Sequence, residues 1–445
     1  MRLTPLFSVA ALVLAVTLVS AQQNRIDVVA PTAPELAAFG PLTIGVRTIT
    51  VTDRDRPDVL KTTEGGAVVR YDRALTLEVW YPAAASAQGS AGAEYRTTAI
   101  DTSIAVTLQG RAVRDAAPAP SGPFPLVVIS HGYPGNRLLM SHLGENLASK
   151  GFVTVSIDHT DSTYADRQAF ASTLYNRAPD QLFVVREMAR LGAVRSKSAL
   201  AGLIDATRTG IVGYSMGGYG VVNTIGGSYS AAAVTGQGAP PNRMLAERTT
   251  AHDGYRASLD PRVVAAIAIG PWGMHRGFWD AEGLAGIRTP VLFVAGSADE
   301  VSGYDAGTRA LFRGAVNADR YLLTFVNAGH NAAAPIPAPA EVVAAGEKGR
   351  GAFTHYADAV WDTVRMNNIL QHFATAWFDL HLKGDRSRAA YFDVASPEGG
   401  AAVFALDLSG QPTPAHTYWK GFHRGTAVGL RLEHAAPAGP RPSPQ

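Results

Sequence analysis

The chain of 445 residues carries 39 Lys and Arg against 37 Asp and Glu. That near-neutral balance, without a block of like charge, excludes nucleic acid and anionic membrane surfaces as the main partner and leaves neutral or apolar substrates as the default. It holds no cysteine, which excludes disulfides, thiol nucleophiles, Cys-based metal sites and Cys lipidation, so an apolar core alone must hold the fold.

Taken from the N-terminus, Arg2 gives a short positive start, Leu6 to Val19 an apolar run, and Val19-Ser20-Ala21 a small-residue cleavage pattern. This predicts a signal peptide over residues 1–21, removed to leave a secreted or periplasmic protein. The run is shorter than the roughly 20 residues that span a bilayer, and no later stretch is long and apolar enough for a span. Pro- and Ala-rich residues 22–40 read as a tether. The alternating segments 44–52 and 75–81 predict antiparallel strands at a sheet edge. Residues 82–123 read as an Ala/Gly/Ser-rich loop region with weak structure.

From residue 125 the pattern changes. Short continuous apolar runs at 125–130, 152–157, 209–214, 263–269, 291–295 and 321–326 read as strands buried on both faces. Helical patterns at 139–150, 181–190 and 303–314 lie between them. A long amphipathic helix is predicted within 357–382, stopped by Gly384. Strand and helix in alternation predict an α/β fold: a mostly parallel doubly wound sheet, antiparallel N-terminal edge strands, helices on both faces, all within residues 41–385. Residues 228–260 are an insertion and a candidate lid, 386–434 a C-terminal extension of unassigned role, and 435–445 a disordered tail.

The chemistry concentrates after the run 209–214. Gly213-Tyr214-Ser215-Met216-Gly217 fits Gly-x-Ser-x-Gly, the strand-to-helix elbow that presents a nucleophilic serine and leaves no room for side chains on either flank. Such a serine needs a histidine to take its proton and an acid to orient that histidine, in the order Ser, acid, His. Asp299 follows the run 291–295, and His330 follows 321–326, each just past a strand end, where ligand chemistry gathers in such sheets. The order is met. Taken singly, Ser215 also fits a plain turn residue, Asp299 a helix N-cap with Glu300 as replacement acid, and His330 a structural loop histidine. An oxyanion hole needs two backbone N–H groups. Met216, after the nucleophile, supplies one, and His131-Gly132-Tyr133-Pro134-Gly135 the other, with Tyr133 as donor. His131 precedes the nucleophile and reads as structural.

Ser130 to Gly135, Leu143 to Ala148 with Gly151-Phe152-Val153, Ile204 to Arg208, Ser215-Met216-Gly217-Gly218 and Pro271-Trp272 together resemble the bacterial cutinase-like polyester hydrolases over roughly residues 122–335. The resemblance implies the α/β-hydrolase fold, a serine esterase working through an acyl-enzyme, a Tyr133/Met216 oxyanion hole, and Trp272 lining a cleft for aromatic esters. The competing role for Trp272 is packing. His131 and Tyr214 depart from that family's usual Pro and His or Trp. Glu78 to Pro82, Ser130-His131-Gly132 and Asp158-His159 look more like exported dienelactone-hydrolase-like and platelet-activating-factor-acetylhydrolase-like proteins, although a dienelactone hydrolase proper needs a Cys. Both resemblances imply one fold and one triad but differ on substrate: polyester or aromatic ester against lipid or short acyl ester. A peptidase or amidase on the same triad, and a silent fold used for binding, remain open. No metal or cofactor motif is present.

Overall fold

The computed structural model describes residues 24–89 and 92–439. The expected signal peptide lies outside them, as do residues 440–445 of the expected tail.

Strands β1 (Ile44–Pro57) and β2 (Arg70–Pro82) form a long antiparallel hairpin that pairs Ile44 with Pro82 and, near its tip, Pro57 with Arg70. β3 (Glu94–Thr98) and β4 (Ala105–Gln109) make a separate antiparallel pair, and β5 (Val113–Arg114) edges β1. There follow β6 (Phe124–Ser130), β7 (Val153–Asp158), β8 (Ile204–Tyr214), β9 (Val263–Ile269), β10 (Val291–Gly296), β11 (Arg320–Phe325) and β12 (Leu430–Ala435). The main sheet runs in the order β12-β11-β10-β9-β8-β6-β7-β2-β1-β5. It is parallel from β7 to β11 and antiparallel where β2 joins β7 and β12 joins β11.

Both faces of the parallel strands are buried, which is why they read as unbroken apolar runs. Successive residues of β6 serve opposite layers, because side chains alternate across a strand. Leu126 and Val128 pack with α2 (Phe170–Gly192), α3 (Met216–Thr224) and α5 (Arg309–Gly314). Val127 and Ile129 pack with α1 (Ser141–Ala148) and α6 (Thr363–Leu382). α4 (Ala231–Thr235) lies in the insertion. The α/β, doubly wound architecture with helices on both faces is as the alternation predicts. Helix α2 begins eleven residues before the expected 181 and runs through Pro179. Proline removes a helix hydrogen bond, and the burial of Leu174, Tyr175, Ala178 and Leu182 offsets that loss.

Three regions differ from expectation. Residues 82–123 contain β3 and β4, which are too short to signal themselves by pattern. They are fixed by tertiary contact: the buried Tyr95 hydroxyl donates to Glu145 on α1 at 2.5 Å and accepts from Trp80 Nε1 at 2.9 Å. In the C-terminal extension, Trp419 and Phe422 pack on Phe373 of α6 with ring centroids 6.3 and 5.9 Å apart, and β12 extends the sheet beyond β11. Residues 24–40, expected as a tether, lie along α6, where Ala30 N donates to Asn368 Oδ1 at 2.9 Å and Leu36 N to His372 Nδ1 at 3.1 Å. Among the described residues no helix is long and apolar enough to cross a membrane.

Candidate active site

Ser215 occupies the turn between β8 and α3 with φ 54° and ψ −114°, a conformation that costs an L-residue about 1–3 kcal/mol. The surroundings hold it there. Its N–H donates to Ile269 O at 2.8 Å, and its carbonyl accepts from Tyr219 N at 2.9 Å and Trp272 N at 3.2 Å. A Cβ at Gly213 would stand 2.2 Å from Gly217 O, and one at Gly217 2.0 Å from Ser130 O. Both glycines of the pentad are therefore required by backbone approach.

Histidine and acid arrive on the loops after β11 and β10. His330 Nε2 lies 2.9 Å from Ser215 Oγ, and its Nδ1 lies 3.0 Å from each oxygen of Asp299. Asp299 is buried and also accepts from Val301 N at 2.9 Å and Ser302 N at 2.8 Å. The turn-capping reading of Asp299 and the histidine-orienting one thus coexist in one carboxylate. Burial pushes the Asp299 carboxyl upward, but the His330 bond and charge and the two N–H groups outweigh it and hold it below the usual carboxylate range. Glu300, the alternative acid, is exposed.

Tyr214 sits against His330, ring centroids 5.2 Å apart, and its hydroxyl donates to Asn331 Oδ1 at 2.9 Å. Asn331 Nδ2 is in turn bound to the Thr354 and Ala357 carbonyls, each at 2.7 Å. The pentad residue that departs from the resembled family therefore braces the histidine.

Met216 opens α3, and Tyr133 lies on the loop after β6. That loop is tied from behind by Arg177 of α2, whose buried guanidinium donates to His131 O, to Gly132 O at 2.8 Å and to Ser162 Oγ at 2.5 Å. His131 is buried, its Nδ1 donating to Gly132 O at 2.6 Å and its Nε2 accepting from His159 N at 3.3 Å. Beneath lies a second Ser–His–Asp sequence of contacts. Ser130 Oγ is 2.8 Å from His159 Nε2, and His159 Nδ1 is 3.0 Å from Asp180 Oδ2. All three residues are at most 1% exposed, so no substrate reaches them. Asp180 also binds Arg73 Nε at 2.9 Å and Nη2 at 3.0 Å, and Arg56 Nη1 at 3.3 Å. Neither Arg177 nor Asp180 was singled out in the sequence. Both precede the helical pattern expected from residue 181, so their polar types were the only signal, and it does not distinguish a buried brace from a solvated face.

Burial keeps several histidines neutral: His142 and His355 are pushed down to about 4, and His159 and His372 to about 3. Unfolded, the same imidazoles protonate near 6.5. Between about pH 6.5 and 4 the unfolded chain therefore binds more protons, and stability is lost as pH falls through that window. Each such histidine costs about 1.4 kcal/mol per pH unit. Glu145 and Asp158, raised by burial, oppose this in part. Urea unfolding at pH 7.5 and 5.5 is expected to show a markedly lower midpoint at 5.5. Equal midpoints would contradict the neutral buried histidines.

Trp272 is half-buried on the loop after β9, packed against Phe278 with ring centroids 5.2 Å apart and Phe170 at 5.3 Å. Phe170, which sequence reasoning passed over, lies 5.0 Å from Tyr133 and so stands between the two residues expected to bind substrate. Among the described residues there is no group of three or more His, Asp or Glu able to hold a metal.

With this geometry the chain is similar to known proteins over part of its length. The PET hydrolase-like (PETase) family model matches residues 81–243. Cutinase 2 of Thermobifida cellulosilytica is 27% identical over 185 residues, 42% of this chain and 52% of the cutinase. The bis(hydroxyethyl) terephthalate hydrolase of Streptomyces coelicolor is 25% identical over 231 residues, 52% of this chain and 58% of the hydrolase. The chain thus spans little more than half the length of these relatives. A ferulic acid esterase from Streptomyces cinnamoneus superposes with a TM-score of 0.54 at 24% identity, covering 79% of this chain and 94% of that one, a likeness of fold. Fold, elbow and relatives agree: the chain is an α/β-hydrolase-fold protein that resembles the cutinase-like PET hydrolases.

Proposed function

We propose that the protein is a serine-dependent carboxylic ester hydrolase. The observation that carries this reading is the continuous contact from Ser215 Oγ through the His330 ring to Asp299, on a strained elbow at the C-terminal edge of the sheet. Ser215 Oγ attacks the ester carbonyl while His330 Nε2 takes its proton. Asp299 holds Nδ1–H and stabilises the imidazolium. The N–H groups of Met216 and Tyr133 bind the oxyanion of the tetrahedral intermediate. His330 then protonates the departing alcohol, leaving the acyl group on Ser215. Water, deprotonated by the same histidine, hydrolyses that ester and restores the serine. The relatives are named for cutin and terephthalate esters, and the Tyr133, Phe170 and Trp272 rings pack in series with the Trp272 backbone bound to Ser215, which supports esters of apolar or aromatic acids as substrates. The N-terminal pattern supports export.

A fluorophosphonate probe is expected to label the purified protein at Ser215, with p-nitrophenyl butyrate hydrolysed in proportion to the unlabelled fraction. A folded protein that neither reacts nor hydrolyses would replace this reading with the silent binding fold. Preference for an amide over the matching ester would replace it with the amidase.

A further inference from the structure

His330 sits in a loop that does not hold itself. Asn327 and Ala333, on either side of it, have φ of 66° and 63°. Such left-handed values cost a residue with a side chain about 1–3 kcal/mol and persist only where the surroundings impose them. Residues 354–361 supply those surroundings. Asp358 Oδ2 accepts from Gly329 N at 2.7 Å, while its Oδ1 accepts from Val360 N at 2.9 Å and Trp361 N at 2.8 Å. On the far side of His330, the Asn331 side chain donates to the Thr354 and Ala357 carbonyls. The residues before and after the histidine are thus both bound to one short segment. That segment is itself anchored in the core. Trp361 is 7% exposed, its Nε1 donates to Val326 O at 2.8 Å, and its ring lies against Phe325 of β11 with centroids 5.2 Å apart.

The same segment reaches the other half of the candidate site. The Tyr164 hydroxyl lies 2.7 Å from His355 Nε2. Burial keeps that imidazole neutral, so Nε2 accepts and the phenol donates. Tyr164 follows β7 and joins the loop after β6 through its backbone: its N–H donates to Gly135 O at 3.0 Å, and Gly135 N donates to Ser162 O at 3.4 Å. Gly135 is two residues past Tyr133. A line of hydrogen bonds therefore runs from the His330 loop, through residues 354–361, to the loop that carries Tyr133. None of these contacts involves Ser215 Oγ or His330 Nε2. Their effect is on where the His330 ring and the Tyr133 N–H stand relative to each other, and a misplacement of about 1 Å in such a constellation can cost about 10²-fold in rate.

Resting on the esterase reading above, we propose that residues 354–361 are a positioning clamp: Asp358, with Asn331, aims the His330 ring, and the Tyr164–His355 pair locks that aim to the Tyr133 loop. The step most sensitive to the aim is the second proton transfer, from His330 Nε2 to the alcohol oxygen as its bond to the acyl carbon breaks. Ser215 Oγ already stands 2.9 Å from that nitrogen, whereas the departing oxygen must be met where the substrate places it.

The test compares ethyl butyrate with p-nitrophenyl butyrate on the full chain. Both esters form the same butyryl-enzyme, and kcat/KM reports only its formation, so they differ in the leaving group alone. Ethoxide needs the proton, and p-nitrophenolate leaves as the anion. Tyr164→Phe removes one hydroxyl. Asp358→Asn leaves one oxygen where two served Gly329 and the turn at 360–361. Each is expected to lower kcat/KM on ethyl butyrate about tenfold or more and on the nitrophenyl ester markedly less, so that the ethyl-to-nitrophenyl ratio falls. A role confined to folding would lower both esters together through the active fraction, which fluorophosphonate titration measures. An unmoved ratio in the folded variants would overturn the clamp, as would a larger loss on the nitrophenyl ester. Tyr164→Phe, the milder change, decides alone if Asp358→Asn does not fold. Wild-type hydrolysis of p-nitrophenyl butyrate keeps the two readings apart, because its absence sinks the esterase assignment itself, whereas its presence with an unmoved ratio sinks only the clamp.

Discussion

Ser215→Ala is expected to lower kcat on a p-nitrophenyl ester by roughly 10³–10⁶-fold, with the fold intact. The side chain that is lost makes one contact of consequence, 2.9 Å to His330 Nε2, while the backbone bonds that hold the elbow do not depend on it. His330→Ala is expected to cost about as much, and the double variant little more than either alone, because the two groups act as a unit. Steady-state kinetics on the three variants, with circular dichroism to check folding, would settle it. Additive losses would mean that serine and histidine work in separate steps and would undo the acyl-enzyme mechanism.

The second large effect falls away from the reacting atoms. Asp180→Ala is expected to destabilise the protein by about 3–5 kcal/mol, because it strands the Arg73 guanidinium, 1% exposed, without its main counter-charge. It also removes the partner of His159 Nδ1, and with it the support beneath the loop that carries Tyr133. The sign can be tested against a simple packing loss. In Arg73→Met combined with Asp180→Leu no charge of that pair is left buried alone, so the double variant is expected to be more stable than Asp180→Ala. Chemical denaturation of the wild type and these two variants would show it. A double variant less stable than the single would mean that the ion pair itself, rather than the avoidance of an orphaned charge, holds this region.

Much of the candidate site was legible because the residues proposed for it follow strand ends. Ser215, Asp299 and His330 each come one to four residues after a buried apolar run, and a parallel sheet brings such ends to one edge. Glycines 213 and 217 were legible for a different reason: the turn demands them whatever surrounds it. Trp272 was legible only by resemblance, and its neighbours Phe170 and Phe278 not at all, since an aromatic at a helix start or in a loop reads the same whether it lines a cavity or fills a core. Arg177, His159 and Asp180 come from α2 and the loop after β7, and nothing local says that they meet behind β6. The short strands β3 and β4 were missed, and the aromatics Tyr418, Trp419 and Phe422 left without a role, for the same cause, since their stability is supplied by α1 and α6.

The amino-acid sequence alone determined the α/β alternation, the parallel sheet and the order of the proposed nucleophile, acid and base, because these depend on local periodicity and on backbone constraints that one segment carries by itself. Tertiary packing alone decided that Tyr214 braces His330, that a buried arginine and a buried Ser130–His159–Asp180 chain support the loop after β6, and that the insertion is pinned by the β1–β2 hairpin. Each of those depends on contacts between residues tens to nearly two hundred positions apart. Desolvation at such contacts, rather than residue type, turns an ordinary histidine neutral or an ordinary arginine into a brace.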